Sequence, residues 1–293
     1  MSTALPRVDL HTHTSYSDGV DTPWELVAKA AQHGVRDLAI TDHDTTAGLP
    51  EAIQAGQAHG VNILSGIELT VQHAQYHDVH MLGYFFDPSH EPLCTRLQAL
   101  QAHRVQRGVE ILQRINVHLS AQGRVPLDRA RVLDRARGAL ARPHIAQELI
   151  AQGYASTVQH AFQEFLIPYD VPKATLSPEE AFDLMAQAGG VCSLAHPGTV
   201  STDPQTLDHL LATFAAMGMV GVEAYHHCHQ QECINFLCIC AQRHGLVVTG
   251  GSDYHGRSPG ARLGHITSEK IVSASVLPNL FDAHATRRRG ISP

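Results

Sequence analysis

An alternation of short apolar runs with helical patterns is the feature that most constrains how this chain can fold. Seven runs predict strands, at 7–11, 36–43, 61–69, 79–86, 190–196, 219–225 and 246–253. Helical patterns follow most of them, at 22–34, 45–59, 177–190, 204–217 and 229–244. Strands that alternate with helices indicate βαβ units and a parallel sheet. Seven such units in 293 residues favour a closed α/β barrel over a small open sheet.

The alternation stops between about 90 and 175, where the pattern is helical throughout. We therefore predict a barrel formed by 1–90 and 176–293, with a helical insertion, 91–175, that stands over the barrel mouth. Between 96 and 142 the insertion has ten arginines against three acidic residues, in a chain of net charge −7. A basic segment in an acidic body suggests an anionic ligand, although a solvated arginine-rich helix face would have the same composition.

Ionisable residues lie in or directly after every predicted strand. They are His11, His13, Asp18, Asp42, His43, Asp44, Glu68, His80, His196, Glu223, Asp253 and His255. The carboxyl ends of parallel strands meet at one face of an α/β fold, so these side chains should gather there. Side chains at i and i+2 of a strand point the same way, so His11 and His13 can face one centre.

Imidazole and carboxylate together are ligands for Zn²⁺, Mn²⁺ or Fe²⁺ rather than for Ca²⁺. A single pair such as His11 and His13 is more often two hydrogen-bonded core histidines. The full set is different, because so many ionisable groups at one face need a compensating charge. The pattern therefore predicts a centre with more than one metal ion.

Five motifs resemble those of the polymerase-and-histidinol-phosphatase (PHP) superfamily in order and spacing. They are DLHTHTSYSDG at 9–19, TDHD at 41–44, GIE at 66–68, AHPG at 195–198 and GSDYHG at 251–256. The resemblance implies a distorted (β/α)7 barrel that binds up to three metals. It implies one metal on His11, His13, Glu68 and Asp253, a second on Glu68, His80 and His196, and a third on Asp18, His43 and His255. Catalysis through metal-bound water is then expected of Asp18, His43, Glu68 and Asp253. The stretch around His80 also offers His77 and Asp78 as ligands.

Two shorter motifs in the insertion, HRVQRGVEI at 103–111 and RPH at 142–144, resemble the bacterial 3′,5′-nucleoside bisphosphate phosphatases. Some relatives of those enzymes degrade RNA from its 5′ end. A guanidinium can bind a phosphate with two parallel hydrogen bonds, so we expect Arg104, Arg107 and Arg142 to hold a second phosphate. Further candidate substrate contacts are His144, Asp44, Asp78 and Lys173. The general acid stays open between Asp44 and a metal-bound water.

The expected reaction is removal of the 3′-phosphate from a 3′,5′-bisphosphonucleotide, such as adenosine 3′,5′-bisphosphate, which would give AMP and phosphate. Two or three divalent metals, Mn²⁺ foremost with Zn²⁺ or Fe²⁺ as alternatives, would supply a bridging hydroxide that attacks phosphorus in line. One alternative is a 5′→3′ exoribonuclease acting on short 5′-phosphorylated RNA, and another is a histidinol-phosphate phosphatase. The complete ligand set disfavours a non-catalytic metal-binding or nucleic-acid-binding module.

The remaining sequence features concern the location of the protein in the cell. The apolar runs are too short to span a membrane, and MSTALPRVDL lacks the basic and apolar regions of a signal peptide. The six cysteines form no disulfide framework, so we expect reduced thiols and a cytoplasmic location. No protein partner is evident from the sequence. His226, His227 and His229 follow Glu223 and could line the pocket, although structural or surface roles would also explain them.

Overall fold

A computed structural model describes residues 7–136, 142–256, 261–266, 270–272 and 275–288, without the side chains of 77, 78, 135 and 136. The side chain of Asp78, one of the predicted substrate contacts, therefore lies outside the described residues. The chain divides into two compact units. The first comprises Met1–Thr95 and Thr175–Pro293, and the second comprises Arg96–Ala174.

A seven-stranded sheet, with its strands in chain order, forms the centre of the first unit. The strands are β1 (Arg7–Asp9), β2 (Val35–Ile40), β3 (Asn62–His73), β4 (Tyr76–Tyr84), β5 (Val191–Leu194), β6 (Gly221–Tyr225) and β7 (Val247–Gly250). The two edges of the sheet meet, since the N–H of Leu10 donates to the oxygen of Gly250 at 3.4 Å and Thr12 bridges to Tyr254. The predicted α/β barrel is confirmed.

The expectation of a wholly parallel sheet is wrong at β4, which pairs antiparallel with both β3 and β5. Only two residues separate β3 from β4. So short a connection permits a hairpin, whereas a parallel neighbour needs a crossover of a dozen residues or more. The hairpin places His80 opposite Thr70. Side chains alternate along a strand, so His80 shares a face with both Thr70 and Glu68.

Among the described residues, six α-helices accompany these strands. They are α1 (Pro23–Gln32), α2 (Leu49–His59), α7 (Pro178–Gln187), α8 (Pro204–Ala216), α9 (Gln231–Arg243) and α10 (Val276–Arg288). α1 begins with a capping box: the N–H of Glu25 donates to Oγ1 of Thr22 at 3.2 Å, and the N–H of Thr22 donates to the Glu25 carboxylate at 2.9 Å. Pro23 occupies the first turn, where its missing N–H costs no helical bond.

The helices of the insertion are α3 (Glu91–Ala121), α4 (Arg129–Ala136), α5 (Arg142–Ala151) and α6 (Val158–Ala161), and a π-helical turn (Phe162–Leu166) follows α6. The second unit has its own apolar core. Ile111, Ile115 and Leu119 recur every four residues along α3, and all three are buried. They therefore form one face of the helix, which packs in a cluster with Leu149 and Phe165.

Candidate metal centre

The segment that follows β7 is joined to β1, just before His11, by a buried carboxylate. Asp9 accepts hydrogen bonds from the N–H of Ser252 at 2.8 Å, from its hydroxyl at 2.6 Å, and from the N–H of Gly264 at 2.7 Å. Gly251 permits this close approach, because a Cβ there would lie 2.3 Å from Cβ of His11. Asp253 is thereby brought beside His11.

Glu68 stands at the centre of the site, buried and surrounded by five imidazoles. Its Oε2 lies 3.2 Å from Nε2 of His11, 3.1 Å from Nε2 of His13 and 3.2 Å from Nδ1 of His43. Its Oε1 lies 2.9 Å from Nδ1 of His80 and 3.0 Å from Nε2 of His196. One carboxylate thus connects residues that follow β1, β2 and β5 with a residue of β4.

Two aspartates lie on either side of His13. With Glu68 and the histidines around it they form a ring of ligand side chains, called the ring below. Oδ1 of Asp253 lies 3.3 Å from Nε2 of His11 and 3.1 Å from Nε2 of His13. Oδ1 of Asp18 lies 3.1 Å from Nε2 of His255, 3.6 Å from Nδ1 of His13 and 4.0 Å from Nε2 of His43. The structure therefore brings all nine predicted metal-ligating residues together.

Two residues of this ring and one residue next to it hold a left-handed backbone that side chains other than glycine rarely adopt. They are Asp44, His196 and Asp253, with φ of 52°, 24° and 53°. Such strain persists only where surrounding contacts hold it, and it is concentrated at functional sites. At His196 the contact is a buried carboxylate, because the His196 N–H donates to Oε2 of Glu223 at 2.8 Å.

Burial and neighbouring charges together set the pKa values of the residues in the site. Burial disfavours the charged imidazole of His13, but hydrogen bonds with Asp253 and Glu68 outweigh burial and raise its pKa to about 10. At His43 burial dominates and lowers the pKa to about 3. Burial alone would raise the pKa of Glu68 and of Asp253, yet the imidazoles around them hold both well below their usual values. The carboxylates therefore stay ionised although they are buried.

The donor set fits divalent metal ions. Four overlapping groups have ligand atoms that all lie within 4.8 Å of one another. They are His13, Asp18, His43 and His255; His11, His13 and Glu68; His43, Glu68 and His80; and His11, His226 and Asp253. The Nε2 atoms of His11 and His13 lie 3.1 Å apart, where two neutral rings can share at most one proton. A divalent cation bound by both would satisfy both lone pairs, and mixed nitrogen and carboxylate donors suit Zn²⁺, Mn²⁺ or Fe²⁺.

The sequence placed Glu223 and Asp42 among the ionisable residues of the strand ends but gave neither of them a role. Glu223 is fully buried, and its Oε1 lies 3.0 Å from Nδ1 of His11. Asp42 accepts from the N–H and hydroxyl of Thr14, each at 2.7 Å, and from the hydroxyl of Ser17 at 2.6 Å. Both carboxylates follow or lie in predicted strands, which is the signal that marked the ligands too. Strand position alone does not separate a ligand from a residue that orients one.

Asp44, a predicted substrate contact and candidate general acid, is hydrogen-bonded to β3 in the structure. Its carboxylate accepts from the N–H of Thr70 at 2.8 Å and from the Thr70 hydroxyl at 2.9 Å. These bonds join the loop after β2 to β3, the strand that carries Glu68. A hydrogen-bonded carboxylate of this kind fixes the backbone next to His43.

The predicted phosphate-binding residues Arg104, Arg107, Arg142, His144 and Lys173 belong to the second unit. The guanidinium groups of Arg107 and Arg142 both contact the carboxylate of Asp170, Arg142 at 3.1 Å. Burial lowers the pKa of Arg107, and the positive charges of Arg142 and Arg104 lower it further while Asp170 opposes them. Arg104 and Arg142 therefore lie close enough to Arg107 for their charges to affect its pKa.

The chain is similar to known proteins over most of its length. The PHP domain family model matches residues 9–164. The chain is 31% identical over 266 residues to a 3′,5′-nucleoside bisphosphate phosphatase from Chromobacterium violaceum, covering 89% of this chain and 92% of the relative. It is 33% identical over 261 residues to the 5′-3′ exoribonuclease Rnm of Escherichia coli, covering 87% of each.

A solved structure described as a metal-dependent phosphoesterase from Bifidobacterium adolescentis is also similar. It superposes with a TM-score of 0.80 at 33% identity, over 96% of this chain and 97% of that one. None of the helices in the described part of the chain is both long enough and apolar enough to cross a membrane.

Proposed function

The chain belongs to the PHP family and is a metal-dependent hydrolase of phosphate esters, and we propose that its substrate is a nucleotide with both 3′ and 5′ phosphates. The proposed reaction releases the 3′-phosphate, so adenosine 3′,5′-bisphosphate would give AMP and phosphate. The relative from Chromobacterium violaceum, named as a 3′,5′-nucleoside bisphosphate phosphatase, supports the choice of substrate, since it aligns over 92% of its length.

The observation that carries the substrate choice is an arginine pair that already holds a carboxylate. Asp170 presents its two oxygens to Arg107 and Arg142, whose contacts lie on Oδ1 and Oδ2 respectively. Donors arranged for a planar carboxylate also suit two oxygens of a phosphate. We propose that these arginines, with Arg104, supply affinity for the phosphate that is not cleaved.

At the metal centre the chain would hold the ions through the nine residues gathered around Glu68 and Asp253. Divalent ions there supply Lewis-acid chemistry, since they lower the pKa of a coordinated water and neutralise charge on phosphoryl oxygens. The buried carboxylates keep their negative charge, so they provide the electrostatic attraction for the cations. Glu223 orients His11, and Asp42 fixes the loop that carries Asp18.

We further propose Mn²⁺ as the resident metal, because carboxylate oxygens and imidazoles contribute jointly to each ligand group. A cytoplasmic location is proposed from the six free cysteines, since reduced thiols are usual in that compartment.

A second candidate function is 5′→3′ exonucleolytic cleavage of short 5′-phosphorylated RNA. The observation that favours it is the relative from Escherichia coli, named as such an enzyme and 33% identical over 261 residues. The same arginines would then bind the 5′-terminal phosphate of the RNA.

A substrate panel separates these functions. Purified protein with Mn²⁺ is assayed against adenosine 3′,5′-bisphosphate, AMP, histidinol phosphate and a 5′-phosphorylated oligoribonucleotide, with Glu68→Gln as the inactive control. We expect the bisphosphate to have the highest kcat/KM and AMP to be the product. No phosphate release from the bisphosphate would overturn the proposal. Faster stepwise release of nucleotides from the oligoribonucleotide would establish the second candidate.

A further inference from the structure

His226 lies directly after β6 and is 2% exposed, although no predicted role in the reaction required it to be buried. Its ring stands beside the metal centre, with its centroid 5.3 Å from that of His196 and 6.1 Å from that of His11. Its Nε2 lies 3.4 Å from Oδ2 of Asp253. Burial of an imidazole at this point needs a reason beyond packing, because an apolar side chain would fill the space without a desolvation cost.

The contacts on the other side of the ring decide which nitrogen carries the proton. The N–H of Cys228 donates to Nδ1 of His226 at 3.2 Å, and Sγ of Cys228 lies 2.9 Å from the same nitrogen. A ring nitrogen that accepts a hydrogen bond has no proton of its own, so a neutral imidazole must be protonated at Nε2. A neutral His226 therefore carries its proton at Nε2, the nitrogen that lies 3.4 Å from Oδ2 of Asp253.

Asp253 divides its two oxygens between different neighbours. Oδ1 faces Nε2 of His11 and Nε2 of His13, at 3.3 and 3.1 Å, whereas Oδ2 faces His226. The backbone of Asp253 is left-handed, with φ of 53°, so no regular strand geometry fixes the direction of its side chain. An external donor on Oδ2 would fix the carboxylate with Oδ1 toward the metal ligands.

We propose that His226 is a positioning residue for Asp253: it holds Oδ2 through its Nε2–H and so directs Oδ1 to the metal centre. His226 acts through Asp253 and does not itself bind metal. The inference rests on the metal-dependent phosphoesterase activity and not on which nucleotide is the substrate. Partners that orient a metal ligand typically change metal affinity 10- to 100-fold when they are removed.

The test compares His226→Leu, which removes the donor, with His226→Gln, whose amide N–H₂ can replace it. The matched control is His227→Leu, because His227 is the exposed neighbour and contacts the Ser252 carbonyl oxygen rather than a carboxylate. Mn²⁺ affinity and stoichiometry are measured by isothermal titration calorimetry after chelator treatment, and kcat and KM with p-nitrophenyl phosphate. This substrate keeps the result independent of the proposed bisphosphate specificity. Circular dichroism of each variant confirms that it is folded.

We expect His226→Leu to weaken Mn²⁺ binding at least about 10-fold and to lower kcat with little change in KM. His226→Gln should recover most of both losses, and His227→Leu should match the wild type. Wild-type affinity and kcat in a folded His226→Leu variant would overturn the proposal. Loss of one Mn²⁺ equivalent in both His226 variants would also overturn it, since His226 would then be a ligand.

Discussion

Nδ1 of His11 lies 3.0 Å from Oε1 of Glu223, and both side chains are fully buried. A nitrogen that donates to a carboxylate carries the proton, so in the neutral imidazole of His11 the lone pair is at Nε2, which faces Glu68 and Asp253. The other oxygen of Glu223 accepts from the backbone of His196. One carboxylate therefore orients two predicted metal ligands that are far apart in sequence.

Glu223→Gln should weaken metal binding without removing a ligand. The amide can still accept from one donor, but its NH₂ group would face the second N–H. We expect Mn²⁺ affinity to fall about 10- to 100-fold, measured by titration calorimetry. The control variant Tyr225→Phe, at a partly buried position of the same strand that is not one of the predicted metal ligands, should keep wild-type affinity. Equal affinities in wild type and Glu223→Gln would contradict the orienting role.

Asp42→Ala should destabilise the fold as well as the site. It leaves the three buried donors of Thr14 and Ser17 without their acceptor. We expect the free energy of unfolding to fall by roughly 3 kcal/mol, measured by urea denaturation. Asp37→Ala is the control, since its carboxylate accepts only an exposed bond from Asn62 within the described contacts and should cost less than about 1 kcal/mol. A loss at Asp42 no larger than at Asp37 would count against this account of the loop.

Arg142→Gln should raise KM for adenosine 3′,5′-bisphosphate and leave kcat nearly unchanged. A charge-assisted hydrogen bond of about 1.5–3 kcal/mol corresponds to roughly 10- to 100-fold in binding. Arg131→Gln in the same unit is the matched control, because Arg131 is largely exposed and lies 3.9 Å from Asp128. Steady-state kinetics distinguish the outcomes. A fall in kcat with unchanged KM would show that Arg142 acts on the cleaved phosphate instead.

Metal removal should lower thermal stability, because the ions bind the folded chain in preference to the unfolded one. At Mn²⁺ concentrations about 1,000-fold above Kd the stabilisation is about 4 kcal/mol, which raises Tm by several degrees. Differential scanning fluorimetry with and without chelator measures the shift. The variant Glu68→Gln should show a much smaller shift than wild type, and an equal shift would place the stabilising metal elsewhere.

Much of the centre could be predicted from sequence, because strand order and side-chain alternation are local patterns. His11 and His13 are two residues apart at a strand end, and Asp253 and His255 repeat that spacing. The carboxyl ends of parallel strands then bring such pairs together. In the structure His11 and His13 contact both Glu68 and Asp253, and His255 contacts Asp18.

The parts that could not be predicted depend on long-range contacts. Asp9 and Ser252 are 243 residues apart, and no local pattern indicates that the carboxylate of one accepts from the other. The antiparallel direction of β4 follows from a short connection that a pattern of apolar runs does not resolve. The ion pairs of Arg107 and Arg142 with Asp170 are likewise tertiary contacts.

The most direct test of a metal centre built around Glu68 compares the metal content of the purified protein with its activity. Chelated protein is reloaded with Mn²⁺ in steps, bound metal is measured by mass spectrometry, and phosphate release from adenosine 3′,5′-bisphosphate is measured at each step. We predict two to three Mn²⁺ per chain with activity that appears only as the sites fill, and loss of both in Glu68→Gln. Full activity after chelation, or unchanged metal binding in a folded Glu68→Gln variant, would contradict a metal centre built around Glu68.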